Sequence, residues 1–172
     1  MSIDIGVMLR GQYPFGVDMV HMAEDLLEQA RLADSLGYDS ITKGSHYSTP
    51  DYQALQQIPL LARLTGEVKR ARLNAGIVIL PLHKPLDLAE QLATLDILCN
   101  GRLIFGVGIG YREVEFNAFG TTQKERGART TENLIAIKRL WSEGCVQMKG
   151  THFELNKAVC WPKPVQKPHP PI

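Results

Sequence analysis

Four short apolar segments alternate with segments of helical periodicity, and this alternation restricts the fold more than any other feature of the sequence. The predicted strands are Ile3–Leu9, Tyr38–Thr42, Leu73–Leu80 and Leu103–Val107. Strands this short and apolar are typical of a sheet that is buried on both faces. The pattern therefore predicts an α/β fold in which parallel strands are joined by right-handed helical crossovers. A doubly wound sheet and a (β/α)₈ barrel both satisfy it.

The segments between these strands have the periodicity and the end signals of helices. Apolar residues recur at helical spacing from Val20 to Leu36, with Asp18 suited to the N-cap position and Gly37 to a C-terminal stop. Pro85 suits the first turn of a later helix, because proline loses no helical hydrogen bond there. The remaining predicted helices are Ala54–Leu64, the segment from Pro85 to Cys99, and Arg126–Trp141.

Three glycines at alternate positions, Gly106, Gly108 and Gly110, carry the chain off the fourth predicted strand. Glycine permits a positive φ and lets a ligand approach the backbone. The stretch therefore predicts a functional loop at the C-terminal end of a parallel strand. A dinucleotide fingerprint is disfavoured, because its third glycine would have to stand where the sequence has Tyr111 or Glu113.

The last part of the sequence leaves this alternation. The period changes between Val146 and Leu155, and Lys149-Gly150 at the centre predicts a β-hairpin outside the parallel sheet. The segment from Trp161 to Ile172 contains five prolines, which taken alone is typical of a stiff linker. Four βα units make half of a (β/α)₈ barrel, which usually takes about 250 residues.

The composition places the 172 residues among ordinary globular chains, with 44% hydrophobic residues and a net charge of +1. This balance predicts no binding of nucleic acid or of an anionic membrane, and no apolar run reaches the ~20 residues that span a bilayer. Cys99, Cys145 and Cys160 fit neither a disulfide framework nor a zinc site, which predicts a reducing cytoplasm. No histidine has a partner at metal-ligand spacing, so no metal site is expected.

The glycine stretch and four other segments together resemble the bacterial luciferase-like flavin-dependent oxidoreductase family. The most specific segment runs from Asn100-Gly101-Arg102 through Gly106-Val107-Gly108-Ile109-Gly110-Tyr111 to Ala118-Phe119-Gly120. The supporting segments are Tyr38–Ile41, Gly76–Leu82, Arg126–Trp141 and Pro162–Ile172. The resemblance extends over essentially the whole chain.

The resemblance implies a (β/α)₈ TIM barrel of the luciferase-like type that binds reduced FMN, or alternatively a deazaflavin coenzyme, at its C-terminal mouth. It implies that residues 1–172 are a single domain, the N-terminal portion of that barrel, with the first four βα units and a β-hairpin insertion. The tail then leads into the fifth strand. The chain is expected to be truncated or the ordered part of a longer protein, with the main phosphate-binding loops in the missing half.

His46 follows the second predicted strand and is the expected catalytic residue. In the family the matching histidine can act as a proton donor beside the flavin, and an acidic residue often precedes it. Here Ser45 precedes it, which departs from that pattern. Imidazole titrates near neutral pH and so suits acid–base work, although a surface-loop histidine with an ordinary hydrogen bond is the alternative. His83, beyond the third strand, is the second candidate.

The resemblance also implies cofactor-binding residues at the ends of the third and fourth strands. A bulge or a non-prolyl cis peptide is expected in the third strand, by position at the Ile77–Val78 bond, and the flavin ring would rest on it. Some deazaflavin-dependent relatives carry an acidic residue where Tyr111 stands, so Tyr111 argues against that chemistry. Glu115 is equally consistent with a solvated helix residue, and Arg102 is expected to be structural at the opposite end of the barrel. The implied cofactor-binding residues are Ile77, Val78, Leu80, Ile109, Gly110 and Tyr111.

The resemblance implies a flavin-dependent monooxygenase that uses reduced FMN and oxygen on a small organic substrate, with a flavin reductase as a possible source of the reduced flavin. One alternative is a deazaflavin-dependent hydride-transferring oxidoreductase on the same fold. The other is a non-catalytic half-barrel that folds only as an oligomer, because four parallel strands leave two open sheet edges. A homodimer or higher homo-oligomer is the expected assembly.

Overall fold

The computed structural model describes residues 3–172, and a four-stranded parallel sheet is at its centre. The strands are β1 (Gly6–Leu9), β2 (Ser40–Lys43), β3 (Arg72–Ile79) and β4 (Leu103–Gly108), and they lie side by side in sequence order. All three neighbouring pairs are parallel. The predicted parallel sheet is confirmed, and sequence order without reversal is the arrangement of consecutive strands in a (β/α)₈ barrel.

Helices follow every strand, so the chain forms four βα units. Proline begins α3 at its first position, as its fixed φ allows. None of the helices in residues 3–172 combines the length and the hydropathy that crossing a membrane requires. The helices are α1 (Met19–Ser35), α2 (Gln57–Leu64), α3 (Pro85–Leu98), α4 (Glu113–Ala118) and α5 (Arg126–Ser142), with single 3₁₀ turns at Leu80–Leu82 and Gln123–Glu125.

The ends of α1 follow the signals in the sequence, but its buried face differs in part from the predicted one. The Asp18 carboxylate accepts a hydrogen bond from the backbone N–H of Val20 at 2.9 Å, as an N-cap does. Gly37 has a φ of +91°, the left-handed conformation that ends helices. Val20 and Leu36, at the first and last turns, are 76% and 67% exposed. The buried residues of α1 are Leu26, Leu27, Ala30 and Ala33.

The apolar core lies between the sheet and the helices that cover one face of it. Phe105 of β4 contacts Trp141 of α5 edge-to-face, with ring centroids 5.7 Å apart, and both are almost fully buried. The indole N–H of Trp141 donates to the carbonyl oxygen of Ala89 at 2.9 Å, which ties α5 to α3. This core fixes the helices on the outside of the sheet and leaves the strand ends open for a site.

Two glycines of β4, Gly106 and Gly108, allow this strand to pack closely against β3. The pairing register between β3 and β4 shifts between Ala75 and Val78, which confirms the predicted irregularity in β3. A Cβ on Gly106 would lie only 2.9 Å from the Ala75 carbonyl oxygen, and a Cβ on Gly108 would overlap the Ile77 side chain. Gly106 and Gly108 are therefore needed for the close approach of a bulged strand.

The irregular peptide bond in β3 is one residue earlier than predicted. The cis bond is Gly76–Ile77 and not Ile77–Val78. Glycine is required at position 76, since a Cβ there would lie only 2.9 Å from Cγ2 of Thr42. The positive φ expected in the glycine stretch occurs at Gly110, where φ is +72°.

We expect Gly106→Ala to lower the free energy of unfolding by about 1–3 kcal/mol, because the new methyl group would press on the backbone of β3, which cannot rotate away. Gly127→Ala in α5 is the matched control, since a Cβ there meets no atom within 4 Å and alanine favours helix, so we expect no loss and a gain of up to about 1 kcal/mol. Urea unfolding measures both. Equal stability of the two variants would contradict this account of Gly106.

The predicted hairpin is confirmed and lies outside the parallel sheet. It consists of β5 (Val146–Lys149) and β6 (Glu154–Ala158), paired antiparallel in a sheet of their own. The proline-rich tail is not the free linker that its composition alone suggests, because Gln166 donates to Asp96 and the Pro171 carbonyl accepts from the backbone N–H of Phe105 at 2.8 Å. The end of the tail thus lies beside β4, at the edge where a fifth strand is expected.

Candidate functional site

A cavity of about 660 Å³ opens at the C-terminal ends of the four strands. Parallel strands end at the same edge of a sheet, so residues that follow different strands come together there. Five of the residues predicted from the sequence line this cavity: His46, Ile77, Ile109, Gly110 and Tyr111.

Val78 and Leu80, also predicted to bind the cofactor, do not line the cavity. Their side chains are 1% and 0% exposed and belong to the apolar core on the helix side. The bulge in β3 changes which side chains face the strand ends, so that Ile77 and Ile79 line the cavity instead.

Arg102 lies at the opposite end of the sheet, as predicted. Its guanidinium donates to the carbonyl oxygens of Ala71 at 2.6 Å and of Val68 at 2.9 Å. These bonds join the start of β4 to the turn before β3, which is a structural role. Arg102 is not among the residues that line the cavity.

The side chain of His46 is held from behind by a buried carboxylate. Nδ1 of His46 lies 3.3 Å from Oε1 of Glu115, and the Glu115 side chain is 1% exposed. The same oxygen accepts a hydrogen bond from the backbone N–H of Tyr47 at 2.9 Å. Glu115 is therefore not the solvated helix residue that its position in the sequence allowed.

Arg112 completes this arrangement and fixes the loop after β2. Its guanidinium donates to Oε1 of Glu115 at 3.2 Å, to the Tyr47 carbonyl at 2.9 Å and to the Ser48 carbonyl at 3.2 Å. The start of α4 thus binds the loop that carries His46. The carboxylate that holds His46 thus belongs to Glu115, 69 positions further along the chain. The residue directly before His46, where the resemblance puts an acidic side chain, is Ser45.

The carboxylate also determines which nitrogen of His46 faces the cavity. An ionised carboxylate only accepts hydrogen bonds, so the His46 tautomer that bonds to it has its proton on Nδ1 and donates a hydrogen bond to Glu115. Nε2 is left for the cavity, and the imidazole side chain is 30% exposed. The rings of Tyr52 and Tyr111 flank it edge-on at centroid distances of 6.5 Å and 6.4 Å. An oriented imidazole at the wall of an open cavity can give or take a proton at Nε2.

His83, the second candidate in the sequence, lies at the same end of the sheet but outside the cavity lining. Its ring packs near Tyr47 and Phe119, and Nε2 lies 3.5 Å from the Tyr47 hydroxyl. Burial lowers the pKa of this imidazole and so favours its neutral form. His83 supports the loop that carries His46.

Several polar cavity residues were not predicted from the sequence, among them Lys43 and Ser45. Lys43, at the end of β2, is 3% exposed, and burial lowers the pKa of its ammonium group. The hydroxyl oxygen of Ser45 is buried without a hydrogen-bond partner among residues 3–172. The signal for Lys43 was present, because it stands two residues after Ile41 and so shares the buried face of a short apolar strand. The same part of the structure contains no cluster of three or more metal-ligating side chains.

A buried glutamine joins the two strand ends at the floor of the site. The Gln57 amide donates to the carbonyl oxygens of Lys43 and of Ile77, the latter at 3.2 Å. It therefore fixes the end of β2 against the bulge of β3. The Gln57 amide therefore lies between Lys43 and Ile77 and keeps the two residues at a fixed separation.

Comparisons with known proteins agree with this geometry. The model of the luciferase-like monooxygenase family matches residues 5–172. The chain is 32% identical over 151 residues to the flavin-dependent trigonelline monooxygenase, oxygenase component, of Acinetobacter baylyi, covering 87% of this chain and 42% of that protein. It is 32% identical over 152 residues to the F420-dependent glucose-6-phosphate dehydrogenase of Amycolatopsis mediterranei, covering 83% and 45%.

A solved structure shows the same fold at similar identity. Monooxygenase RslO1 from Streptomyces bottropensis matches with a TM-score of 0.87 and 31% identity, over 98% of this chain and 52% of that one. The chain therefore spans about half the length of the relatives that it matches.

Proposed function

The chain belongs to the luciferase-like monooxygenase family, and from this premise we propose that the protein is a flavin-dependent monooxygenase that uses reduced FMN and oxygen on a small organic substrate. The observation that carries the proposal is the oriented His46 at the wall of an open cavity above the bulge in β3. The relatives are enzymes named for a flavin or for F420, which supports redox chemistry at this site.

The residues at the strand ends fit a flat cofactor ring. Ile77 and Ile109 are 43% and 47% exposed, so they present apolar surface to the cavity. Gly110 leaves backbone accessible beside them, and the unpartnered Ser45 hydroxyl can bond to a polar ring edge. When bound, reduced FMN supplies the electrons with which oxygen is activated.

The protein's own contribution is to orient His46 and to move one proton. Glu115 orients His46 through the contact at Nδ1, so Nε2 can donate a proton into the cavity and regain it afterwards. The rings of Tyr52 and Tyr111 approach the imidazole edge-on and help to fix its orientation. His46 is the proposed general acid, and Glu115 is the proposed positioning residue.

The choice between FMN and a deazaflavin rests on Tyr111. The resemblance puts an acidic residue at this position in some deazaflavin-dependent relatives, and the cavity lining contains no carboxylate among its described residues. Hydride transfer with a deazaflavin remains the second candidate, because the Amycolatopsis relative is named as F420-dependent.

We expect reduced FMN to bind at least about tenfold more tightly than the reduced deazaflavin, as measured by anaerobic titration of the protein with each coenzyme. The reason is Tyr111, which stands where the resemblance puts an acidic residue in some deazaflavin-dependent relatives. Tighter binding of the deazaflavin would favour the second candidate, and binding of neither would favour the non-catalytic half-barrel.

The partners are also proposals. The glycine stretch lacks the dinucleotide fingerprint, so we propose that a separate flavin reductase supplies reduced FMN, as the name "oxygenase component" suggests for the Acinetobacter relative. Val20, Leu32 and Leu36 expose apolar surface along α1, which supports a homodimer or higher homo-oligomer. Light scattering of the purified protein measures the assembly, and a monomer would contradict this part.

A further inference from the structure

The cavity at the strand ends has an excess of positive charge. Its lining includes Arg10, Lys43 and Arg126, and none of its described lining residues is an aspartate or a glutamate. The carboxylate nearest to the site, that of Glu115, lies behind His46 and is already bonded to it and to Arg112. The cavity therefore favours a ligand that carries negative charge.

Lys43 is the most unusual of these cations, because it is almost completely buried. Its side chain is 3% exposed, and no hydrogen bond or ion pair of its ammonium group occurs within residues 3–172. A Cβ on Gly11 would lie 3.6 Å from its Nζ, so the ammonium group lies against bare backbone after β1. Buried charges in proteins are normally paired, so a cation without a protein partner at the wall of a cavity can bind an anionic group of a ligand.

The residues around Lys43 form a different part of the cavity from Ile77 and Ile109, where the flavin ring is proposed to bind. We call this part the β1–β2 arm and define it by Leu9, Gln12, Lys43, Tyr52 and Leu55, all of which line the cavity. It lies on the β1 and β2 side, whereas Ile77 lies in β3 and Ile109 follows β4. Leu9 and Leu55 are its apolar residues, and Lys43 is its only charged one.

We infer that the β1–β2 arm is the substrate pocket and that Lys43 binds a carboxylate group of the substrate. This inference rests on the proposed function. Tyr52 belongs to the arm and also contacts the ring of His46, so a molecule anchored at Lys43 extends past Tyr52 toward His46. The arm therefore selects small organic acids whose apolar part contacts Leu9 and Leu55 and whose reacting end approaches the proton donor.

The phosphate of FMN is the other anion that this site could bind. The distance between the two cations Lys43 and Arg126 distinguishes it from a substrate carboxylate. Arg126 follows β4 and donates to the Gly110 carbonyl at 3.2 Å, whereas Lys43 is at the end of β2. Strands in a sheet are about 4.8 Å apart, so the β2 and β4 sides of the cavity are separated by about 10 Å. One phosphate cannot contact both cations, and the experiment below separates the two anions.

The test compares carboxylic acids with their amides. Acetate, hexanoate and benzoate, each beside the corresponding amide, are titrated into the protein without flavin by isothermal calorimetry and saturation-transfer NMR. We expect at least one carboxylate to bind about tenfold or more tightly than its amide, because a charge-assisted hydrogen bond replaces a neutral one. Lys43→Met keeps the length of the side chain and should abolish this preference.

Arg126→Met is the matched control and should keep the preference for the carboxylate. FMN and riboflavin are titrated into the same variants, and Lys43→Met should leave their ratio of affinities unchanged. Since Lys43→Met removes an unpaired buried charge, we also expect a higher melting temperature, and Lys43→Gln serves as a second variant if the first does not fold.

Three results would overturn the inference. They are the absence of any carboxylate preference in the wild type, its persistence in the Lys43 variants, and a selective loss of FMN relative to riboflavin in those variants, which would make Lys43 a phosphate ligand. Failure of the proposed function is a different result, because it appears as absent flavin binding in the wild type whether or not carboxylates bind.

Discussion

His46→Ala is expected to slow the single-turnover reaction of bound reduced FMN with oxygen by ~10²–10⁴-fold, the usual loss for a positioned general acid. Flavin affinity should fall by only about 1 kcal/mol, because at most one ordinary hydrogen bond to the ring is lost. The reason is positional, since His46 follows β2 at the wall of the cavity and Glu115 directs its Nε2 inward.

Stopped-flow spectroscopy measures the rate, and quenching of flavin fluorescence measures the affinity. His21→Ala is the control, because the His21 side chain is 68% exposed on α1, remote from the cavity. If affinity collapses while the single-turnover rate is kept, His46 is a binding residue and the proposed role is wrong. If neither changes, His46 is an ordinary loop histidine.

Glu115→Ala is expected to lower the free energy of unfolding by about 3–5 kcal/mol, the loss observed when one partner of a buried ion pair is removed. One oxygen of this 1% exposed carboxylate accepts bonds from the Tyr47 backbone and from Arg112, and it contacts His46. Alanine would leave all three without their acceptor. The loop after β2 should lose its order, and the rate should fall with it.

Two further variants separate charge from position. Glu113→Ala changes an exposed carboxylate on the same helix and should leave stability within about 0.5 kcal/mol of the wild type. Glu115→Gln keeps an acceptor oxygen for the three donors but removes the charge, so we expect a smaller loss of stability and a clear loss of rate. Denaturant unfolding and stopped-flow spectroscopy give both quantities. Equal stability of Glu113→Ala and Glu115→Ala would show that the buried carboxylate has no structural role.

The same comparison distinguishes a positioning residue from a merely structural one. A structural role alone predicts that Glu115→Gln reacts at the wild-type rate once it is folded. A positioning role predicts a reduced rate in the folded variant, because a neutral amide is a weaker acceptor than a carboxylate for the Nδ1 proton that orients His46. The amide keeps the geometry, so the difference reports the charge.

The sequence by itself determined the architecture, because periodicity and end signals are local properties. The four apolar runs became β1 to β4, the cap at Asp18 and the stop at Gly37 bounded α1, and Lys149-Gly150 marked the hairpin. Parallel strands end at one edge of a sheet, so the order of elements also placed His46, Ile109 and Tyr111 together. No contact distant in sequence was needed for these conclusions.

Only the tertiary structure decided the chemistry at that edge. Glu115 is an ordinary helix residue in the sequence, and it became the partner of His46 because Arg112 brings α4 against the loop after β2. The bulge of β3 moved Val78 and Leu80 into the core, since one irregular residue changes which side chains face the cavity. Lys43 became an unpaired buried cation for the same kind of reason, because burial and pairing are set by neighbours from other parts of the chain.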